Sequence, residues 1–268
     1  MSLSLRSPVI KIGLAAAVVV AATAGTVADV AASSPPRAAA AAPIDHQLCY
    51  SAAAGGFRLP PPVALANQFS TFKPTIGKFA IHCNPVVKVT PTGTFPINNP
   101  NAHLGCWTIT EPTQAMHVVQ VTNQFGTGVL ATGQPNLLCL PSWKSLTGPP
   151  RKKPHQPPGL SHFTCYPVSL QGGGYQPPPV MLQDEFAPKP VPVQVNPVPQ
   201  ELCLPTQKTV LTTGKVYKII NPVMHLLCFN VTPTPILPAW DENQFGTSKV
   251  RIIHTQWLCL PSTKKVIG

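Results

Sequence analysis

Eight cysteines and four histidines carry most of the reactive chemistry in this chain, and their spacing is regular. Cys49, Cys83, Cys106, Cys139, Cys165, Cys203, Cys228 and Cys259 are separated by alternating long and short gaps, so a unit with two cysteines recurs four times. A histidine stands three residues before the first cysteine of every unit: His46, His103, His162 and His225. Two chemistries fit such residues. Paired His-x-x-Cys half-sites can bind zinc or copper, whereas an even cysteine count in an exported chain favours disulfides. Zinc sites usually bring two close ligand pairs together. Here the second cysteine has only Pro and Lys nearby, apart from His82. The expectation is therefore four disulfides, with no metal or cofactor site. A zinc- or copper-binding protein is the alternative. No C-x-x-C-H occurs, which excludes covalent haem.

Joining the two cysteines within each unit gives 49–83, 106–139, 165–203 and 228–259, the favoured scheme. A scheme joining equivalent cysteines across paired units, such as 49–106 with 83–139, also respects the repeat. Loops of this size each contribute about 3–4 kcal/mol in the chain-entropy picture.

Carboxylates are the next candidates. After residue 43 they number seven: Asp45, Glu111, Asp184, Glu185, Glu201, Asp241 and Glu242. A glycosidase needs two carboxyl groups facing one bond, and the adjacent pairs Asp184-Glu185 and Asp241-Glu242 could supply them. Sequence neighbours on an extended chain point to opposite faces, however, and units one and two have Asn-Gln at the same place. The sequence contains no G-x-S-x-G, H-E-x-x-H, G-x-x-x-x-G-K-[ST] or G-x-G-x-x-G motif. The chain reads as a non-enzyme, with a hydrolase using carboxylates of its second half as a further alternative.

The elements that hold these residues repeat as well. An aromatic follows each first cysteine: Tyr50, Trp107, Tyr166 and Phe229. A Phe motif lies midway: Asn67-Gln68-Phe69, Asn123-Gln124-Phe125-Gly126, Asp184-Glu185-Phe186 and Asn243-Gln244-Phe245-Gly246. Each second cysteine has Pro two residues later and Lys five later (Lys88, Lys144, Lys208, Lys264). The Phe and the aromatic are expected in the core, and the Asn-Gln pair in a turn. Segments such as 116–122, 137–140, 216–220 and 249–254 are short and rich in β-branched or apolar residues. With 35 Pro and 18 Gly, and 10% charged residues, long helices and coiled coils are excluded. The predicted fold is all-β: two tandem small β-sandwich or barrel-like domains, 44–146 and 160–268, each of two cysteine-stapled repeats. A Pro-rich linker, 147–159, joins them.

Residues 1–32 have the layout of a secretory signal peptide, with Arg6 and Lys11, then an apolar run, then small residues; 33–43 is an Ala/Pro spacer. The apolar run is too short to span a bilayer, and no later run is long enough, so no transmembrane span is expected in the mature chain. Beyond residue 43 the formal charge is +9, from 16 basic and 7 acidic residues. That excess can hold an exported protein on anionic cell-envelope polymers. Nucleic acid is a poor partner, because the densest basic run, Arg151-Lys152-Lys153, sits among prolines without interleaved aromatics.

The H-x-x-C-aromatic, N-Q-F-G and L-C-x-P-x-x-K marks resemble a family of exported bacterial repeat domains of unknown function. The resemblance spans 44–268 and is carried best by 123–144 and 243–264; unit three departs most, at Asp184-Glu185-Phe186. It implies a secreted, cysteine-stapled β protein and supplies no activity.

Overall fold

The computed structural model describes residues 44–267 apart from 59, 112–113, 151–155 and 234–237. The signal peptide and spacer expected over 1–43, and the Arg-Lys-Lys run, lie outside the described residues. Unit one contributes β1 (Gln47–Ala54), β2 (Val63–Ala66), β3 (Thr71–Phe72), β4 (Thr75–Pro85), β5 (Val87–Thr90) and β6 (Gly93–Phe95). Unit two contributes β7 (His103–Thr110), β8 (Val118–Asn123), β9 (Gly126–Thr132) and β10 (Leu137–Ser145). Unit three contributes β11 (His162–Tyr175), β12 (Val180–Gln183), β13 (Val191–Val193), β14 (Val195–Val210) and β15 (Val216–Tyr217). Unit four contributes β16 (His225–Val231), β17 (Ala239–Asn243) and β18 (Gly246–Val266). No helix among the described residues is long and apolar enough to cross a membrane.

The eight cysteine-bearing strands close on themselves. β1 pairs with β4, β4 with β7, β7 with β10 and β10 with β11. β11 then pairs with β14, β14 with β16, β16 with β18, and β18 returns to β1. All of these pairings are antiparallel, so the chain forms an eight-stranded up-and-down barrel, a size whose interior side chains can fill.

Alternation along each strand sorts the side chains. The eight cysteines point inward with Ile81, Leu104, Leu137, Phe163, Leu226 and Trp257, each of these two residues before a cysteine. Their neighbours, such as Leu138, Leu140, Leu202 and Leu204, point outward into a second apolar layer. Both faces are covered, which is why Leu137-Leu-Cys-Leu140 reads as an unbroken apolar run. Within each unit the two cysteines are directly opposite in register, and the disulfides are Cys49–Cys83, Cys106–Cys139, Cys165–Cys203 and Cys228–Cys259. Adjacent bonds also touch: Cys49 Sγ lies 3.6 Å from Cys259 Sγ, and Cys139 Sγ lies 3.8 Å from Cys165 Sγ.

The all-β expectation holds, but the division into domains 44–146 and 160–268 does not. Ala40–Gly268 is one compact unit, and the pairings β10–β11 and β18–β1 carry the barrel across both junctions. The outer layer interlocks further. Past its second cysteine, each unit's chain pairs with the strand ahead of the Phe motif two units away. β5 takes β12, the end of β10 takes β17, the end of β14 takes β2, and the end of β18 takes β8. The physical reason is burial: a two-repeat half would leave the outer faces of its strands bare. Each half therefore takes its cover from the other.

Candidate functional site

Each Phe motif begins with a turn built by its first residue. The Oδ1 atoms of Asn67, Asn123, Asp184 and Asn243 accept from the backbone N–H of Phe69, Phe125, Phe186 and Phe245 at 2.8–2.9 Å. Only an acceptor is needed, so Asp replaces Asn in unit three. Gly126 and Gly246 follow with φ of +139° and +115°, a region that side chains disfavour. A Cβ on Gly126 would come within 2.6 Å of the Gly174 carbonyl oxygen.

The turn delivers the Phe ring to the aromatic that follows the first cysteine two units away. Phe69 meets Tyr166, Phe125 meets Phe229, Phe186 meets Tyr50 and Phe245 meets Trp107, all edge to face with centroids 4.9–5.5 Å apart.

The middle residue of the motif points elsewhere, toward the preceding unit's His and Lys. Offsets of three and five from a cysteine are both odd, so this His and Lys share the outward face of the barrel wall. Lys88 donates to Gln124 Oε1, and Lys208 donates to Gln244 Oε1. Lys144 Nζ lies 2.7 Å from Glu185 Oε2. Lys88, Lys144, Lys208 and Lys264 sit 4.4–5.0 Å from the centroids of Phe125, Phe186, Phe245 and Phe69, within cation–π range. His162 Nε2 is 3.3 Å from Gln244 Oε1, and His225 Nε2 is 3.2 Å from Gln68 Oε1. Burial pulls His46 down to about 3 and His225 to about 4, so both are neutral. Burial also lowers Lys88 to about 8, Lys208 to about 7 and Lys264 to about 8. Lys144 is lowered by burial against the opposing pull of Glu185.

One of the four pockets carries carboxylates. Asn84 Nδ2 donates to Asp184 Oδ2 at 2.7 Å, which fixes the amide so that Asn84 Oδ1 faces His82 Nε2 at 2.8 Å and His103 Nδ1 at 3.0 Å. The other nitrogen of His82 lies 3.0 Å from Asp241 Oδ2, and both side chains are fully buried. Tyr50 donates its hydroxyl to Asp184 Oδ2 at 2.5 Å. Burial, with Asp184 beside it, raises the Tyr50 phenol well above its ordinary value. The candidate carboxylates Asp184, Glu185 and Asp241 thus meet in one network across all four units. Asp184 and Asp241 are buried, and their protein partners are a tyrosine, an asparagine and a histidine. Glu242 is half-buried beside Arg58 in a small surface hollow.

All eight cysteine sulfurs are bonded to one another, so none offers a thiolate to zinc or copper, and the His-x-x-Cys half-site of the metal alternative is not formed. No cluster of three His, Cys, Asp or Glu side chains with metal-holding geometry occurs among the described residues.

Glu201 gives a pH signature. It is buried on β14, its Oε1 accepting from Asn136 Nδ2 at 2.7 Å, and burial pushes its pKa up to about 7. Between the ordinary carboxylate value and about 7, the folded chain holds a proton that the unfolded chain has released. Stability therefore falls as pH rises through that window, on the order of 3 kcal/mol. Chemical denaturation at pH 5 and pH 8 is expected to show Glu201→Gln losing less stability over this interval than the parent. Equal losses would refute it.

The distribution of charge completes the site. Arg58, Lys73, Lys78, Lys189, Lys215, Lys218, Lys249, Arg251 and Lys265 are exposed. Glu185 is the one exposed carboxylate among the described residues, and it faces Lys144. Asp45, Asp184, Glu201 and Asp241 are buried; Asp45, for example, accepts from the backbone N–H groups of Asn98 and Asn99 at 2.8 Å.

Fold and site together define a four-repeat, disulfide-stapled β-barrel with buried lysine pockets and a cationic exterior. Compared with known families, curated proteins and solved structures, the chain has no significant match.

Proposed function

We propose that this protein is an exported, non-enzymatic binding module that adheres to anionic polymers of the cell envelope. The observation that carries this reading is the separation of charge by depth: among the described residues, nine exposed cations face solvent against a single exposed carboxylate. Carboxylates turned inward to hold loops and the barrel leave the surface field almost undiluted, and such a field attracts polyanions. The four disulfides support a life in oxidising surroundings. Resemblance to exported repeat domains points the same way.

Polyphosphate immobilised on resin tests it. The oxidised protein is expected to be retained in about 50 mM salt and released as screening shortens toward a few ångströms near 1 M. The variant Lys249→Glu/Arg251→Glu/Lys265→Glu is expected to elute at lower salt. Flow-through of the parent at low salt would reject the proposal.

A further inference from the structure

Two of the four lysine pockets share a composition that the other two lack. In one, Lys88 is fully buried between the rings of Phe95 and Phe125, 4.6 and 5.0 Å from their centroids, with its amine on the side-chain amide of Gln124. In the other, Lys208 is fully buried between Tyr217 and Phe245, at 4.8 and 5.0 Å, with its amine on the amide of Gln244. A buried histidine flanks each: His46 against Phe95 with centroids 5.5 Å apart, and His162 against Tyr217 at 5.3 Å. Neither Nζ has a carboxylate within ion-pair distance among the described residues.

We propose that Lys88 and Lys208 become covalently joined to Gln124 and Gln244 as intramolecular amide crosslinks, with loss of ammonia.

The energetics favour such an outcome. A buried ammonium facing only a neutral amide and ring faces carries a desolvation cost without an ion-pair partner to offset it. An amide bond removes the charge altogether. The chemistry balances within the chain. The unprotonated Nζ adds to Cδ of the glutamine, forming the Nζ–Cδ bond and a tetrahedral oxyanion. A proton passes from Nζ to Nε2, the Cδ–Nε2 bond breaks, the carbonyl re-forms, and ammonia departs. No oxidant or co-reactant is needed.

Each pocket supplies what this reaction requires. Aromatic walls on either side of each amine hold the two groups together, an arrangement that replaces a bimolecular encounter. Burial lowers both amines toward neutrality, to about 8 for Lys88 and about 7 for Lys208, so uncharged nucleophile is present near neutral pH. His162 Nε2, 3.3 Å from Gln244 Oε1, is placed to donate to the carbonyl oxygen as negative charge develops there. His46 is likewise buried beside Gln124 in the first pocket.

The remaining pockets serve as internal comparisons. Lys144 faces the Glu185 carboxylate, whose pull on the ammonium opposes the lowering by burial. Lys264 is partly exposed and lies over the Phe69 ring. Crosslinks at the first two pockets would tie unit one to unit two and unit three to unit four, whereas the disulfides tie each unit to itself.

Peptide mapping by mass spectrometry of the mature, reduced and alkylated protein tests this without a variant. The expected result is a linked pair of peptides containing Lys88 and Gln124, and another containing Lys208 and Gln244. Each pair should weigh about 17 Da less than its parts, one ammonia per bond. Lys144 and Lys264 should appear in unlinked peptides. In Lys88→Arg, the Gln124 peptide should return unlinked while the Lys208 pair persists. Recovery of Lys88 and Lys208 as free, trypsin-cleavable residues in the parent would overturn the proposal.

Discussion

Reduced and alkylated, the protein is expected to lose its barrel. Four cross-strand bonds line the interior, each closing a loop between cysteines 31 to 38 positions apart. Loops of that length give about 3–4 kcal/mol each in the chain-entropy picture. Four of them rival the whole stability of an ordinary domain, about 5–15 kcal/mol. Eight of the fourteen side chains around the central cavity belong to the disulfides. Denaturant titration followed by near-ultraviolet circular dichroism should show a cooperative transition in the oxidised protein and none after reduction. Removing one bond, in Cys106→Ala/Cys139→Ala, is expected to cost about 3–4 kcal/mol while leaving a cooperative fold. An unchanged midpoint after full reduction would show that the sulfurs do not hold the structure.

The second large effect belongs to Asp241. Its Oδ2 lies 3.0 Å from His82 Nδ1, both side chains are fully buried, and His82 is tied through Asn84 to Asp184 and His103. Deleting one member of a buried polar pair strands the other, at a cost of about 3–5 kcal/mol. Asp241→Ala should therefore be among the most damaging single substitutions, measured by its denaturation midpoint. Replacing both members, in His82→Leu/Asp241→Leu, removes the stranded imidazole, leaves Asn84 Oδ1 its contact with His103, and is expected to recover a large part of the loss. A double variant no better than the single would mean that Asp241 acts through other contacts. The same comparison separates structure from catalysis, because an activity lost in Asp241→Asn with the midpoint unchanged would revive a hydrolase.

The repeat was legible because its marks recur in register, and so was the chemistry of its parts. Period-two strands around each cysteine, the turn at Asn-Gln-Phe and the packing of the motif rings against the core, with Phe125 and Phe245 buried and Phe69 and Phe186 half-buried, follow from local physical rules, and the favoured within-unit disulfides are the ones formed. The partners across the barrel do not. Nothing in the vicinity of Phe69 says that Tyr166, not Tyr50 of its own unit, will receive its ring. Composition also misled at the Pro-rich stretch 147–159, which looks like a boundary although β10 and β11 on either side pair directly. Of the signature histidines, His225 bonds the backbone carbonyl of Val223, whereas His162 turns to the glutamine of another unit's motif. Parity was the missed signal: odd offsets place His and Lys together on the outer wall, where a pocket can form.

The exchange of outer strands between units two apart has a bearing on the order of assembly. β2, near the start of the described chain, takes its partner from β14, and β8 takes its partner from the last residues of β18. β1 itself waits for β18. An emerging polypeptide therefore has no early stopping point at which its first half is complete, and contacts of such wide separation make for slow folding. Until the final segment arrives, the leading strands present unpaired edges, which places a premium on chaperoning.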